Sequence, residues 1–369
     1  MKNKKSVFGY SIIIAIAFIA FIMVISSTDA DSKYMARHNG LKITDIFKIK
    51  KDLDDLDPHL TIELEDDGYD IYVPKARGYR YGPSIIYYED GTMDAWFAAN
   101  GTDGAWDYVT YRHFDGENWS EEEVVLKPTK GSKDHYSVCD PGVIYFNDYY
   151  YIGYTSTENA FNGGVENCGY VARSKNPNGP FEKWSGDHWG DNPEPIIVYD
   201  GDDRQWGAGE ISFVVVDEKL YCYYSWISTD GNSMKLMTSD LSEDWPAKLI
   251  EKGTVLTKGG SEDSCDVVYN DEYERFVAFC MEYRFTDYAS IAVYESDDGT
   301  SFTRVDSVGK HVEDNAHNMG ISKKPNGHVS LGDKLMVGYA HSKGRINIWG
   351  VWSTMFQTIN LKLTNNINN

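Results

Sequence analysis

The chain has 369 residues, 57 acidic against 35 basic, a net charge of −22 and 41% hydrophobic residues. Fractions this close to the globular average exclude a disordered or collagen-like chain. The acidity argues against nucleic acid or an anionic membrane surface as partner, since each needs a basic face.

At the N-terminus, Lys2, Lys4 and Lys5 precede a nearly unbroken apolar run ending at Ile25, and Thr28-Asp29-Ala30 is a passable small-residue cleavage site. Residues 1–30 read as a bacterial-style signal peptide, cleaved or kept as a signal anchor. Both outcomes put the remainder outside the cytoplasm, extracellular or anchored at the cell surface, with membrane contact only through that anchor. Residues 31–61 are polar and irregular and read as a linker. Five Cys are too sparse, and odd in number, for a disulfide framework.

From residue 62 to 369 no long helical periodicity occurs. A β-branched and aromatic run, a short polar turn and a second such run recur five times. The copies begin at Tyr81-Gly-Pro-Ser-Ile, Cys139-Asp-Pro-Gly-Val, Gly209-Glu-Ile-Ser-Phe, Cys265-Asp-Val-Val-Tyr and His317-Asn-Met-Gly-Ile. Their aligned residues, Gly82, Asp140, Glu210, Asp266 and His317, are roughly 50–70 residues apart, the spacing of propeller blades. The expected fold is all-β: a five-bladed β-propeller of four-stranded antiparallel blades.

In such a fold the blade starts converge on a central channel. Asp140, Glu210, Asp266 and His317 would then meet in one funnel, where repulsion and burial raise carboxyl pKa values. A raised carboxylic acid beside a second carboxylate is what glycosidic cleavage requires. Trp106, Trp206, Tyr136, Tyr79 and His135 lie near these positions in sequence and are candidates for contact with sugar rings. Arg80 is a candidate partner for a channel acid or a substrate hydroxyl. No zinc spacing or phosphate loop occurs, so no organic cofactor is expected, and the chain is expected to be a monomer.

Asp140-Pro-Gly-Val-Ile, Tyr150-Tyr-Ile-Gly-Tyr, Gly209-Glu-Ile and His317-Asn-Met-Gly, in this order over residues 75–355, resemble glycoside hydrolase family 43 and its five-bladed relatives. The resemblance implies an arabinofuranosidase- or xylosidase-like hydrolase acting on a plant or microbial polysaccharide or oligosaccharide. Glu210 would be the general acid, Asp140 the pKa-modulating acid and His317 the residue near a channel cation, often Ca²⁺. The sequence departs from the family at blade 1, where Gly82-Pro83 stands in place of the base-bearing Asp-Pro. Asp140 itself, Asp266, or Asp103 or Asp107 in the loop after blade 1 would have to supply the base. The alternative is a non-catalytic carbohydrate-binding propeller.

Overall fold

The computed structural model describes residues 60–65, 67–74, 78–102, 105–157, 164–201, 204–308, 312–342 and 350–363. The candidate signal, the linker up to residue 59, and Asp103 lie outside them. Among the described residues no helix is long and apolar enough to cross a membrane.

Five four-stranded antiparallel units follow one another in the chain. Blade 1 is Gly78–Tyr87, Met93–Asn100, Asp107–Phe114 and Glu123–Leu126. Blade 2 is Cys139–Phe146, Tyr149–Ser156, Cys168–Ser174 and Glu182–Trp184, with Trp189–Gly190 added at its edge. Blade 3 is Gly207–Val216, Lys219–Ser228, Gly231–Asp240 and Ile250–Lys258. Blade 4 is Cys265–Asn270, Arg275–Glu282, Ser290–Ser296 and Thr303–Val308. Blade 5 takes His317–Lys323, Leu335–His341 and Val351–Leu363 from the end of the chain and Leu60–Leu64 from its start. That last pairing runs from Leu60 opposite Leu363 to Leu64 opposite Ile359. It closes the circle with backbone hydrogen bonds, which protects strand edges that would otherwise invite aggregation.

The first strand of each blade packs on the first strand of the next, and the fifth returns to the first. Ser322 and Lys323 of blade 5 pair in parallel with Ile85 and Ile86 of blade 1. The core therefore lies in layers between blades. Trp96, Val143 and Tyr154 fill the layer between blades 1 and 2, and Phe213 and Trp245 help fill that between blades 2 and 3. Tyr223 and Phe276 pack between blades 3 and 4. Trp96, Trp245 and Trp352 are wholly buried, each contributing roughly 2–3 kcal/mol through the area it removes from water. This explains the aromatic enrichment: a wedge between twisted sheets needs large, flat fillers. Tight hairpins join first and second strands, with Asn147-Asp148 and Asp217-Glu218 both at positive φ, as a two-residue turn requires.

Candidate functional site

Four of the five inner strands are bulged at the same place. Pairing slips between Tyr81 and Ser84, Cys139 and Gly142, Gly209 and Ser212, and His317 and Gly320. Within each slip one residue takes left-handed backbone: Gly82 (φ 54°), Asp140 (48°), Glu210 (49°) and Asn318 (44°). For a non-glycine residue this costs roughly 1–3 kcal/mol and clusters at functional sites. The bulge re-aims the side chain, and all four residues line one cavity of about 370 Å³ at the channel.

The residue two places on is small in every case: Ser84, Gly142, Ser212 and Gly320. A Cβ on Gly142 would sit 1.7 Å from the Ile211 carbonyl oxygen, and one on Gly320 would sit 1.8 Å from that of Pro83. In the other two blades the serine itself bridges. The amide of Val143 donates to Ser84 Oγ (3.0 Å) and that of Val267 to Ser212 Oγ (2.9 Å). Adjacent inner strands thus approach at backbone distance where the functional side chains emerge.

Blade 4 differs. Cys265–Asn270 pairs with Arg275–Glu282 in unbroken register, so Asp266 does not sit at a bulge. It lines the cavity, but its carboxylate accepts from Ser212 Oγ (2.7 Å), Lys323 Nζ (2.7 Å) and the Ile321 amide (2.9 Å). Asp266 therefore ties blades 3, 4 and 5 together through a wholly buried lysine. Both of its oxygens are committed, an arrangement suited to holding the channel and poorly suited to proton transfer.

A residue missed in the sequence, Asp263, lies closer to the chemistry. Buried just before the blade 4 strand, it accepts from Arg284 Nη1 (2.5 Å) and from the Asn318 amide (2.6 Å). Lys258 Nζ donates to its backbone carbonyl (2.7 Å). Burial alone would raise its carboxyl. Arg284, the Asn318 amide, His317 and Lys258 outweigh that and hold it below the usual range.

Glu210 shows the opposite behaviour. Burial, then the nearby Asp263, push its carboxyl up to about 7, against Lys258 and Arg284. Asn318 Nδ2 donates to its Oε1 (3.4 Å), while Oε2 is buried without a hydrogen bond. Asp140 is pushed well above the ordinary carboxylate range by burial and then by Glu210. The two carboxyls titrate as a pair. Asp107, one of the loop acids considered as a base, is raised to about 6 by burial. It accepts from Tyr79 Oη (2.6 Å) and Ser137 Oγ (2.9 Å), and it does not line the cavity.

Three of the aromatic candidates come together, Trp106 from the loop between the second and third strands of blade 1 and His135 and Tyr136 from the loop entering blade 2. The Trp106 and Tyr136 rings are 6.1 Å apart, and His135 is 4.5 Å from Tyr136. The Trp106 amide donates to the Tyr136 carbonyl (2.8 Å), and Tyr79 Oη to the Trp106 carbonyl (3.2 Å). None of them lines the cavity. Trp206, half-buried, accepts through its carbonyl from Asn167, outside this trio.

Two expectations are corrected. Arg80 does not reach the channel. Its guanidinium makes a forked pair with Glu122 (2.5 and 3.0 Å) and stacks 4.4 Å from the Tyr72 ring centroid, in a separate cavity with Ile71, Phe97 and Arg112. One residue out of phase with Tyr79 and Tyr81, it points to the other face of the strand. His317 is not the channel residue of blade 5 either; Asn318, one place on, occupies the bulge. The imidazole packs between Phe285 (4.3 Å) and Trp352 (4.2 Å), and burial pushes it down to about 4, so it is neutral. Nδ1 lies 3.1 Å from the Asn315 carbonyl and Nε2 is buried without a partner. Ca²⁺ takes six to eight oxygen ligands. Among the described residues no group of three His, Cys, Asp or Glu is placed to hold a metal ion.

No family model and no curated protein matches the chain. Solved structures do. A family 117 glycoside hydrolase of the marine bacterium Zobellia galactanivorans superposes with a TM-score of 0.58 at 15% identity, over 85% of this chain and 93% of that one. An α-L-arabinofuranosidase of Podospora anserina, solved with cellotriose, gives 0.58 at 11% identity over 79% and 95%. A thermostable family-43 glycoside hydrolase gives 0.53 at 14% identity over 81% and 94%. The chain has the five-bladed propeller fold of these proteins, similar to family 43.

Proposed function

We propose that the protein is a glycoside hydrolase that cleaves O-glycosyl bonds of a plant or microbial polysaccharide or oligosaccharide, with Glu210 as general acid and Asp140 as the carboxylate partner. The observation that carries this reading is the pair itself: two buried carboxyls on neighbouring blades, each held at a backbone angle its residue type disfavours, at the floor of one cavity. The glycoside hydrolases that share the fold support it. Glu210, protonated up to about pH 7, lines the cavity and is the group from which the leaving oxygen would take its proton. Asp140, when ionised, would serve as base toward water or as the attacking group; burial and Glu210 both act against that form, so substrate binding has to move the shared proton to Glu210.

Gly82 sets the route. A Cβ there would lie 3.6 Å from Asp140 Oδ1 and Cα and meet nothing else within 4 Å. The place where family 43 carries its base is therefore a notch beside Asp140, with room for the water that Asp140 would activate. The N-terminal sequence supports action outside the cytoplasm, and the ring cluster of Trp106, Tyr136 and His135 would be the surface for sugar stacking.

Gly82 also motivates the second reading, a propeller that binds carbohydrate without cleaving it. One experiment separates the two: a panel of aryl glycosides and arabinan, xylan and galactan oligosaccharides, assayed with wild type, Glu210→Gln and Asp140→Asn. Cleavage by wild type, lost in both variants, supports the hydrolase. Full activity in Glu210→Gln refutes it, and glycan binding without product in the wild type selects the second reading.

A further inference from the structure

The fourth blade carries a pair of thiols that the glycosidase chemistry does not use. Cys265 and Cys280 sit directly opposite each other on antiparallel strands. Opposed residues in such a ladder have Cα atoms about 4.5 or 5.5 Å apart, and both spacings fall in the range a disulfide spans. Directly opposed residues also point to the same face, and the two thiols interact with each other. The other three cysteines have no such neighbour. Cys139 faces Thr155, Cys168 faces Ser156, and Cys222 faces Phe213 and Met237.

Cys265 is one of the residues around the channel cavity beside Asp266, and its side chain belongs with that of Cys280 to the core between blades 3 and 4. Cys280 is wholly buried, its Sγ donating to the Asp263 carbonyl (3.2 Å). That same carbonyl accepts from Lys258 Nζ (2.7 Å), so an ammonium group lies next to the thiol pair; it acts against the burial that pushes the Cys280 thiol up, without outweighing it.

We propose that Cys265 and Cys280 are a redox-modification site, forming a cross-strand disulfide by exchange with a small disulfide that enters through the channel. With oxidised glutathione as oxidant, the Cys265 thiolate attacks one glutathione sulfur and expels glutathione thiolate, leaving a mixed disulfide on Cys265. The Cys280 thiolate then attacks Cys265 Sγ, forms the intramolecular bond and expels the second glutathione. The two cysteine thiols are oxidised, one glutathione disulfide is reduced to two thiols, and the two cysteine protons end on those thiols. The product replaces the Cys280 Sγ–H bond to the Asp263 carbonyl with a covalent link across the blade. It therefore acts on the segment that carries Asp263, next to Glu210.

The test is a peptide map of the full chain under non-reducing conditions, after incubation with oxidised glutathione at about pH 8. The expected result is a Cys265–Cys280 cross-linked peptide lighter by two hydrogens, reversed by dithiothreitol, with Cys139, Cys168 and Cys222 still alkylated as free thiols. Cys280→Ala should stop at a glutathione adduct on Cys265, and Cys265→Ala should give neither adduct nor link. Cys280→Ala also covers the case in which the cross-link unfolds the blade. Free thiols at both positions after prolonged exposure, or adducts on the other cysteines in place of Cys265, would overturn the proposal.

Discussion

Asp263 is expected to set the alkaline limit of the reaction, and Asp263→Asn tests that without changing the side chain's shape. Glu210 rises from 4.5 to about 7, with burial the largest cause and Asp263 the second. Asn318 bonds to both carboxyls, which places them within about 10 Å; Coulomb's law in an effective dielectric of about 20 then makes the Asp263 charge worth about 1.7 kcal/mol or more, somewhat over one pH unit. The substitution also frees Arg284, which already pulls Glu210 down; both changes act in the same direction. The alkaline limb of kcat/KM should move from about pH 7 to about pH 6 or below. Asp266→Asn, by contrast, should leave it in place, because Asp266 is not among the groups acting on Glu210. The carboxyl stretch in a pH-difference infrared spectrum, assigned with Glu210→Gln, reads the same proton without needing turnover. A limb and a carboxyl band that stay at about pH 7, or move upward, in a folded Asp263→Asn protein would refute the electrostatic account.

Three further outcomes are expected. The folded-state value of Glu210 lies above its unfolded one, so its contribution to stability is complete below about pH 4.5 and lost as pH rises through about 7, a change of about 3 kcal/mol. Glu210→Gln should therefore be more stable than wild type in urea at pH 8 and match it near pH 4; an equal gap at both pH values would contradict this. Gly82→Asn should fold, because Asn318 already adopts the same backbone angle at the equivalent bulge. It should nevertheless lower kcat/KM about tenfold or more by filling the notch beside Asp140, and unchanged kinetics would remove the notch from the mechanism. Lys323→Met keeps the buried stem but strands Asp266, at a cost of about 3 kcal/mol, seen as a fall in Tm of roughly 5 °C; a fall under about 2 °C would show that Ser212 and the Ile321 amide hold Asp266 unaided.

The blades were legible because each is a local object: two aromatic or β-branched runs around a short turn repeat whatever the rest of the chain does. Asp140 and Glu210 were legible for the same reason. His317 was misplaced by one residue because the start of a strand is a weaker marker than the bulge inside it. The bulge has its own signature, a small residue two places after the left-handed one, seen in Gly82-Pro-Ser84, Asp140-Pro-Gly142, Glu210-Ile-Ser212 and Asn318-Met-Gly320. Its cause is the close approach of the neighbouring blade, which leaves no room for a Cβ at Gly142 or Gly320. Applied to blade 4, Asp266-Val-Val268 lacks the small residue, and the strand there runs in unbroken register.

That distinction bears on what each carboxylate can do. A side chain aimed by a bulge leaves the regular ladder, as Glu210 does; one at regular register sits among neighbouring strands and is claimed by their donors, as Asp266 is by Ser212, Ile321 and Lys323. Asp263 carried neither signal. It precedes its strand; Arg284 is brought to it by the blade 4 hairpin, and Asn318 only when blades 4 and 5 close on each other. The groups that tune a channel acid come from several blades at once, so their identity resides in the closure of the ring. Glu210 itself resides in one repeat, which is why its place at the channel was legible in the sequence and that of Asp263, the second cause of its raised pKa after burial, was not.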